Sequence, residues 1–116
     1  MNPKGYVVIL EGDEQIHDLM ERWLREAGYR VGAAEAEPDT EPVLVIADVP
    51  EPQSAEALIG ALGQVYAAPI LATSARFRRG LAGSAEAASR LGVKKVLPKP
   101  FTRKELLAAV REALAA

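Results

Sequence analysis

Several groups that can do chemistry together stand at comparable places in this chain, each just behind a short apolar run. They are the carboxylates of Glu11, Asp13 and Asp48, the hydroxyl of Ser74 and the ammonium of Lys99. Carboxylates beside a lysine and a hydroxyl can hold a cation, take up a group on oxygen, or exchange protons. The segment VLVIADVPEP, residues 43–52, poses the question most sharply, because an apolar run ends in one acid, Asp48, with Pro50 and Pro52 close behind. Either that acid caps a turn, or a strand delivers it to an edge as a reactive group.

Delivery requires elements that end where the chemistry begins. Residues 6–10, 43–47, 69–73 and 95–97 read as apolar strands, and residues 29–33 as a weaker fifth. They alternate with stretches of helical period, which predicts a parallel sheet covered on both faces. Ile16, Leu19, Met20, Trp23 and Leu24 recur at helical spacing and predict a helix over residues 14–27, its stripe toward the sheet, Trp23 in the core and Gly28 as the stop. Thr102-Arg103-Lys104-Glu105 has the capping-box pattern and opens a last helix that buries Leu106, Val110 and Leu114. Weaker helices start near Ser54 and Ser84. Only residues 35–41, with Pro38 among them, separate the second strand from the third, too few for a crossover helix of ordinary length. That second helix is expected to be shortened or absent. Ligands of such sheets bind beyond the carboxyl ends of the strands, where the carboxylates, Ser74 and Lys99 would stand.

At 116 residues with 49% hydrophobic and 26% charged side chains, the chain reads as one globular domain over residues 1–116 without an output domain. Cysteine is absent, which excludes disulfides and thiolate chemistry. No apolar run reaches membrane-spanning length and no secretory h-region opens the chain, so a cytoplasmic location is expected. The net charge of -2 conceals an asymmetry: residues 1–60 hold 4 Lys/Arg against 13 Asp/Glu, and residues 61–116 hold 10 against 3. A basic second half suits an acidic protein partner, or is simply a solvated face; no recognition motif points to nucleic acid. His17 and the run Arg76-Phe77-Arg78-Arg79 read as surface.

The order of these features resembles the receiver domains of two-component response regulators, the CheY-like family, over residues 6–113. The resemblance rests on Glu11-Gly12 after the first strand, Asp48 with Pro52 four residues on, Ser74-Ala75 after the fourth, and Lys99-Pro100-Phe101 after the fifth. It implies a flavodoxin-like, doubly wound, five-stranded parallel sheet in the order 2-1-3-4-5. Asp48 would be the phosphoacceptor, Ser74 a donor to a phosphoryl oxygen and Lys99 the partner of the acyl phosphate, with a cis peptide before Pro100. Mg²⁺ would be held by Glu11, Asp48 and the backbone carbonyl of Pro50, with Asp13 as a further candidate ligand. A histidine kinase or phosphotransfer protein would be the donor, and a downstream protein the reader of the fifth-strand face. The chain would act as a monomer or weak dimer and catalyse at most its own phosphoryl acceptance and dephosphorylation.

Three positions depart from that pattern. Gly12 stands where the family has its second acid, so Asp13 is either a substitute ligand or, as N-cap preference favours, the cap of the first helix. Val96 replaces the aromatic residue that moves with the hydroxyl, and Pro98 sits within the fifth strand, which suits only a sheet edge. Two functions therefore stand: a phosphoryl-accepting receiver, and a pseudo-receiver that keeps the fold and signals by protein contact alone. A metal-dependent hydrolase built on the same carboxylates is a distant third.

Overall fold

In the computed structural model the described residues are 6–32, 42–49, 55–74 and 92–115. Five strands form one parallel sheet: β1 (Tyr6–Leu10), β2 (Arg30–Val31), β3 (Leu44–Asp48), β4 (Ile70–Ser74) and β5 (Lys95–Pro98), in the order β2-β1-β3-β4-β5. Three helices accompany them among the described residues: α1 (Glu14–Glu26), α2 (Ala55–Val65) and α3 (Arg103–Leu114). This is the doubly wound order that the resemblance implies. The expected shortening of a helix before β3 and the helix start at Ser84 lie outside the described residues.

The strand sequences explain why both faces are covered. In β1, Val7 and Ile9 join one core cluster and Tyr6 and Val8 the other. The same alternation places Leu44 and Ile46 of β3 opposite in direction to Val45 and Ala47. A strand apolar at every position can satisfy both clusters only between two helical layers. The first cluster is closed by α1 and α3 through Met20, Leu24, Leu106, Ala109, Val110 and Ala113, and the second by α2 through Ile59. Full burial of Met20 and Leu24 is worth about 1.5–3 kcal/mol each.

Only part of each predicted helical stripe is core. Met20 and Leu24 are fully buried, whereas Ile16 and Trp23 are half-buried against the cluster and Leu19 is 37% exposed. Likewise Leu114 of α3 only packs against the core, while Ala109 and Ala113 complete the buried edge with Leu106 and Val110. The small alanines let α3 approach the sheet closely, which a count of large side chains does not reveal.

Helix ends follow local chemistry. Asp13 caps α1, and Thr102 and Glu105 make the reciprocal capping box of α3, at 3.1 Å and 2.9 Å. At the other end of α1, Gly28 takes φ 99°, with Gly28 N–H donating to Arg25 O and Tyr29 N–H to Leu24 O, each at 3.0 Å. That double bond pattern requires the left-handed conformation glycine adopts without steric cost. Strands β3 and β4 each end one residue later than the sequence suggests, so Asp48 and Ser74 are the last residues of their strands. Pro98 ends the edge strand β5 in register with Ser74, and it is the next residue, Lys99, whose N–H donates to Ser74 O at 3.0 Å. The proline is tolerated because the ladder needs no donor from it there.

Candidate functional site

The carboxyl edge of the sheet brings three distant charges together. Glu11 follows β1, Asp48 ends the neighbouring β3, and Lys99 follows β5, two strands from Asp48. The Lys99 side chain therefore crosses the end of β4 to reach both acids: Nζ donates to Glu11 Oε1 at 2.6 Å and to Asp48 Oδ1 at 2.8 Å. Side-chain exposure is 4% for Glu11, 15% for Lys99 and 23% for Asp48, so Asp48 is the member most open to a reactant. Burial by itself draws the Lys99 ammonium toward its neutral form. The hydrogen bonds and negative charges of Asp48 and Glu11 more than reverse that, leaving its pKa above the ordinary lysine value. At neutral pH the bridge is an ammonium between two acids.

The loop after β1 is tied down by the same acids. Glu11 Oε2 accepts from Asp13 N–H at 3.1 Å, and Asp13 Oδ1 accepts from the N–H groups of Gln15 at 2.9 Å and Ile16 at 3.2 Å. Asp13 is thus the N-cap of α1, through Oδ1. The peptide between Lys99 and Pro100 is cis, and Phe101 packs against the α1–α3 cluster, anchoring the loop that carries Lys99.

Ser74 is buried at the end of β4, and its carbonyl receives the Lys99 N–H. Alternation along β4 sends its side chain to the α2 side, with Ala72. Thr73 leaves on the opposite side, with Leu71, and is paired in register with Asp48, so it shares the face of the acid. Its Oγ1 is buried and has no hydrogen-bond partner among the described residues. The sequence points to Ser74 by its place before Ala75; the register of β4 against β3, which no local signal gives, is what sets Thr73 beside Asp48. Pro50, Pro52 and Ala75 lie outside the described residues.

Do these residues fit the Mg²⁺ that the resemblance implies? A hard dication wants several oxygens with carboxylate charge among them. Of the candidates, Glu11 has both oxygens engaged, Asp13 is held at the start of α1 through Oδ1, Gly12 contributes no side chain, and Asp48 has Oδ1 taken by Lys99. As arranged, they do not fit. Among the described residues, the one close group of three metal-type side chains is His17, Asp18 and Glu21 on α1, which includes none of the edge carboxylates.

Beside the bridge runs an apolar groove of about 420 Å³ between α1 and the loop after β5. Ile16, Leu19, Met20 and Trp23 line one wall, Pro100 and Phe101 the other, with Lys99 at its end. The half-exposed part of the α1 stripe is the wall of this groove.

No protein-family sequence model matches the chain, and neither does any curated protein sequence. Solved structures do. A response regulator receiver protein from Burkholderia phymatum is 25% identical with a TM-score of 0.72, the match covering 96% of this chain and 95% of that one. The receiver domain of the Francisella response regulator 1452 is 20% identical at TM-score 0.71, covering 97% of each chain. NtrX from Brucella abortus, in complex with ADP, is 21% identical at TM-score 0.73; the match covers 95% of this chain but only 27% of NtrX.

Proposed function

Taking the fold of a response-regulator receiver domain as the premise, we propose that this chain is a two-component receiver-like domain whose Asp48 accepts a phosphoryl group. The observation that carries this reading is the 2.8 Å contact of Lys99 with Asp48 Oδ1 at the carboxyl end of the central strand, Asp48 being the most exposed of the three bridged side chains. In the transfer, Asp48 Oδ2 attacks the phosphorus of a phosphohistidine, the P–N bond breaks, and the imidazole leaves with the electron pair to take a proton from water. The product is an acyl phosphate on Asp48. Lys99 lowers the repulsion between the attacking carboxylate and the phosphoryl oxygens, the electrostatic part of such transfers. Thr73 is the nearest buried hydroxyl on the same face, and Ser74 borders it.

A histidine kinase or phosphotransfer protein is the expected donor, and the groove of Ile16, Leu19, Trp23 and Phe101, which Lys99 also lines, fits the apolar edge of a donor helix. Output passes to a protein partner through the β5 and α3 region. No helix among the described residues is long and apolar enough to cross a membrane, and action in the cytoplasm belongs to this reading.

A second reading has its own support. Glu11 is fully engaged and Gly12 carries no acid, which is what a pseudo-receiver signalling by contact alone would show. Intact-mass measurement after incubation with acetyl phosphate, with and without Mg²⁺, decides between them. One added phosphoryl group, lost in Asp48→Asn, supports the phosphoacceptor. No mass change under either condition rejects it in favour of the pseudo-receiver.

A further inference from the structure

We infer that the Lys99 ammonium is the resident cation of the carboxyl edge, and that this chain does not take up a divalent metal there. The inference deepens the reading of Asp48 as the reacting group, for it makes any chemistry at that group metal-independent. It can nevertheless be tested without phosphorylation.

The argument starts from charge and donor supply. Two carboxylates, Glu11 and Asp48, share a single ammonium at 2.6 Å and 2.8 Å. A dication entering between them would have to take Glu11 Oε1 from Lys99 and Oε2 from the Asp13 N–H. Lys99 would then lose acceptors for a largely buried charge and stand beside a second positive centre; both effects oppose entry. Asp13 is held to the start of α1 by the two N–H groups that its Oδ1 caps, which leaves at most Oδ2 to a metal. Mg²⁺ in particular needs near-octahedral oxygen geometry and gives up water reluctantly, so single unengaged oxygens on Asp48 and Asp13, with Glu11 taken, are a poor anchor.

What is missing is one carboxylate, and the fold has room for it. A Cβ placed on Gly12 would meet nothing within 4 Å, and the residue has no positive φ. Gly12→Asp therefore adds the charge beside Glu11 without steric cost.

The experiment is a Mg²⁺ titration of the full chain and of Gly12→Asp, followed by backbone amide NMR shifts at residues 11–13, 48 and 49, with thermal unfolding as a second readout. The unaltered chain is expected to show no saturable shift and no rise in unfolding temperature through tens of millimolar Mg²⁺. Gly12→Asp is expected to show saturable shifts at those amides and a Mg²⁺-dependent rise in unfolding temperature. Saturable shifts at Glu11 and Asp48 in the unaltered chain would overturn the inference. A silent Gly12→Asp with an unchanged spectrum elsewhere overturns it too, since the missing charge is then not what keeps the metal out. A chain that fails to accept phosphate yet shows the expected pair of titrations loses the proposed function and keeps this inference.

Discussion

Two ionic clusters in this molecule set basic side chains against carboxylates and differ in how they are built. The Glu11–Lys99–Asp48 bridge joins residues 88 and 51 positions apart in sequence and is mostly buried. On α1, Glu21 pairs with Arg25 one turn on at 2.9 Å, and His17 Nδ1 lies 3.8 Å from both Asp18 and Glu21, all at partly to largely exposed positions. The helical cluster exists once α1 exists, because residues four apart are neighbours on any helix. The bridge exists only once four strands are in register. A cluster of the first kind says little about function; one of the second is held in place by the whole sheet and shields its charges from water, so changing a member is felt.

Lys99→Met is the strongest way to break the bridge. It leaves Glu11 and Asp48 side by side in a shielded edge with no cation, and the expected loss is about 3 kcal/mol in denaturant unfolding. A loss below about 1 kcal/mol would place the bridge with ordinary surface pairs. The pH dependence sharpens the same point. Since the folded-state pKa of Lys99 is raised above its unfolded value, the stabilisation is complete below the unfolded lysine pKa of about 10.4 and is lost as pH rises through the higher folded value. The unaltered chain should thus lose stability above that range more steeply than Lys99→Met does.

The contrast also explains what the sequence disclosed. The strands, the capping box and the placement of Asp48 and Lys99 at strand ends were legible because apolar runs, Thr102 with Glu105, and the Lys99-Pro100-Phe101 ending are local signals; the strand order came only with the family resemblance. Glu11 was legible as a residue and not as a partner of Lys99, since contacts across a sheet depend on register. That Thr73 is the residue of β4 in register with Asp48 was hidden for the same reason. The half-exposure of Leu19 and Trp23 was hidden because periodicity marks an apolar face without saying how much of it the sheet covers.

Thr73→Val separates a structural hydroxyl from a functional one with a smaller effect. The valine is close in shape, and the hydroxyl it removes is buried without a partner among the described residues. The folded chain should gain about 1 kcal/mol from losing an unsatisfied group. If the hydroxyl serves the phosphoryl group, the same variant should form the Asp48 adduct more slowly or lose it faster, read by intact mass over time. Greater stability with unchanged adduct kinetics would remove Thr73 from the site.

Glu21→Gln probes the other side of the comparison, where the least should happen. Glu21 accepts from Arg25 Nε at 3.0 Å, but Arg25 also donates to Val31 O at 3.1 Å, so the link between α1 and β2 survives the loss of the carboxylate charge. Glutamine keeps an acceptor oxygen for the same guanidinium. Exposed pairs one helical turn apart are worth about 0.3–0.5 kcal/mol, and salt screens them further. Unfolding should therefore move by no more than about 0.5 kcal/mol, and the change should fade at high salt. A loss as large as that of Lys99→Met would mean that local and sheet-built clusters carry equal weight here, and the distinction drawn between them would fail.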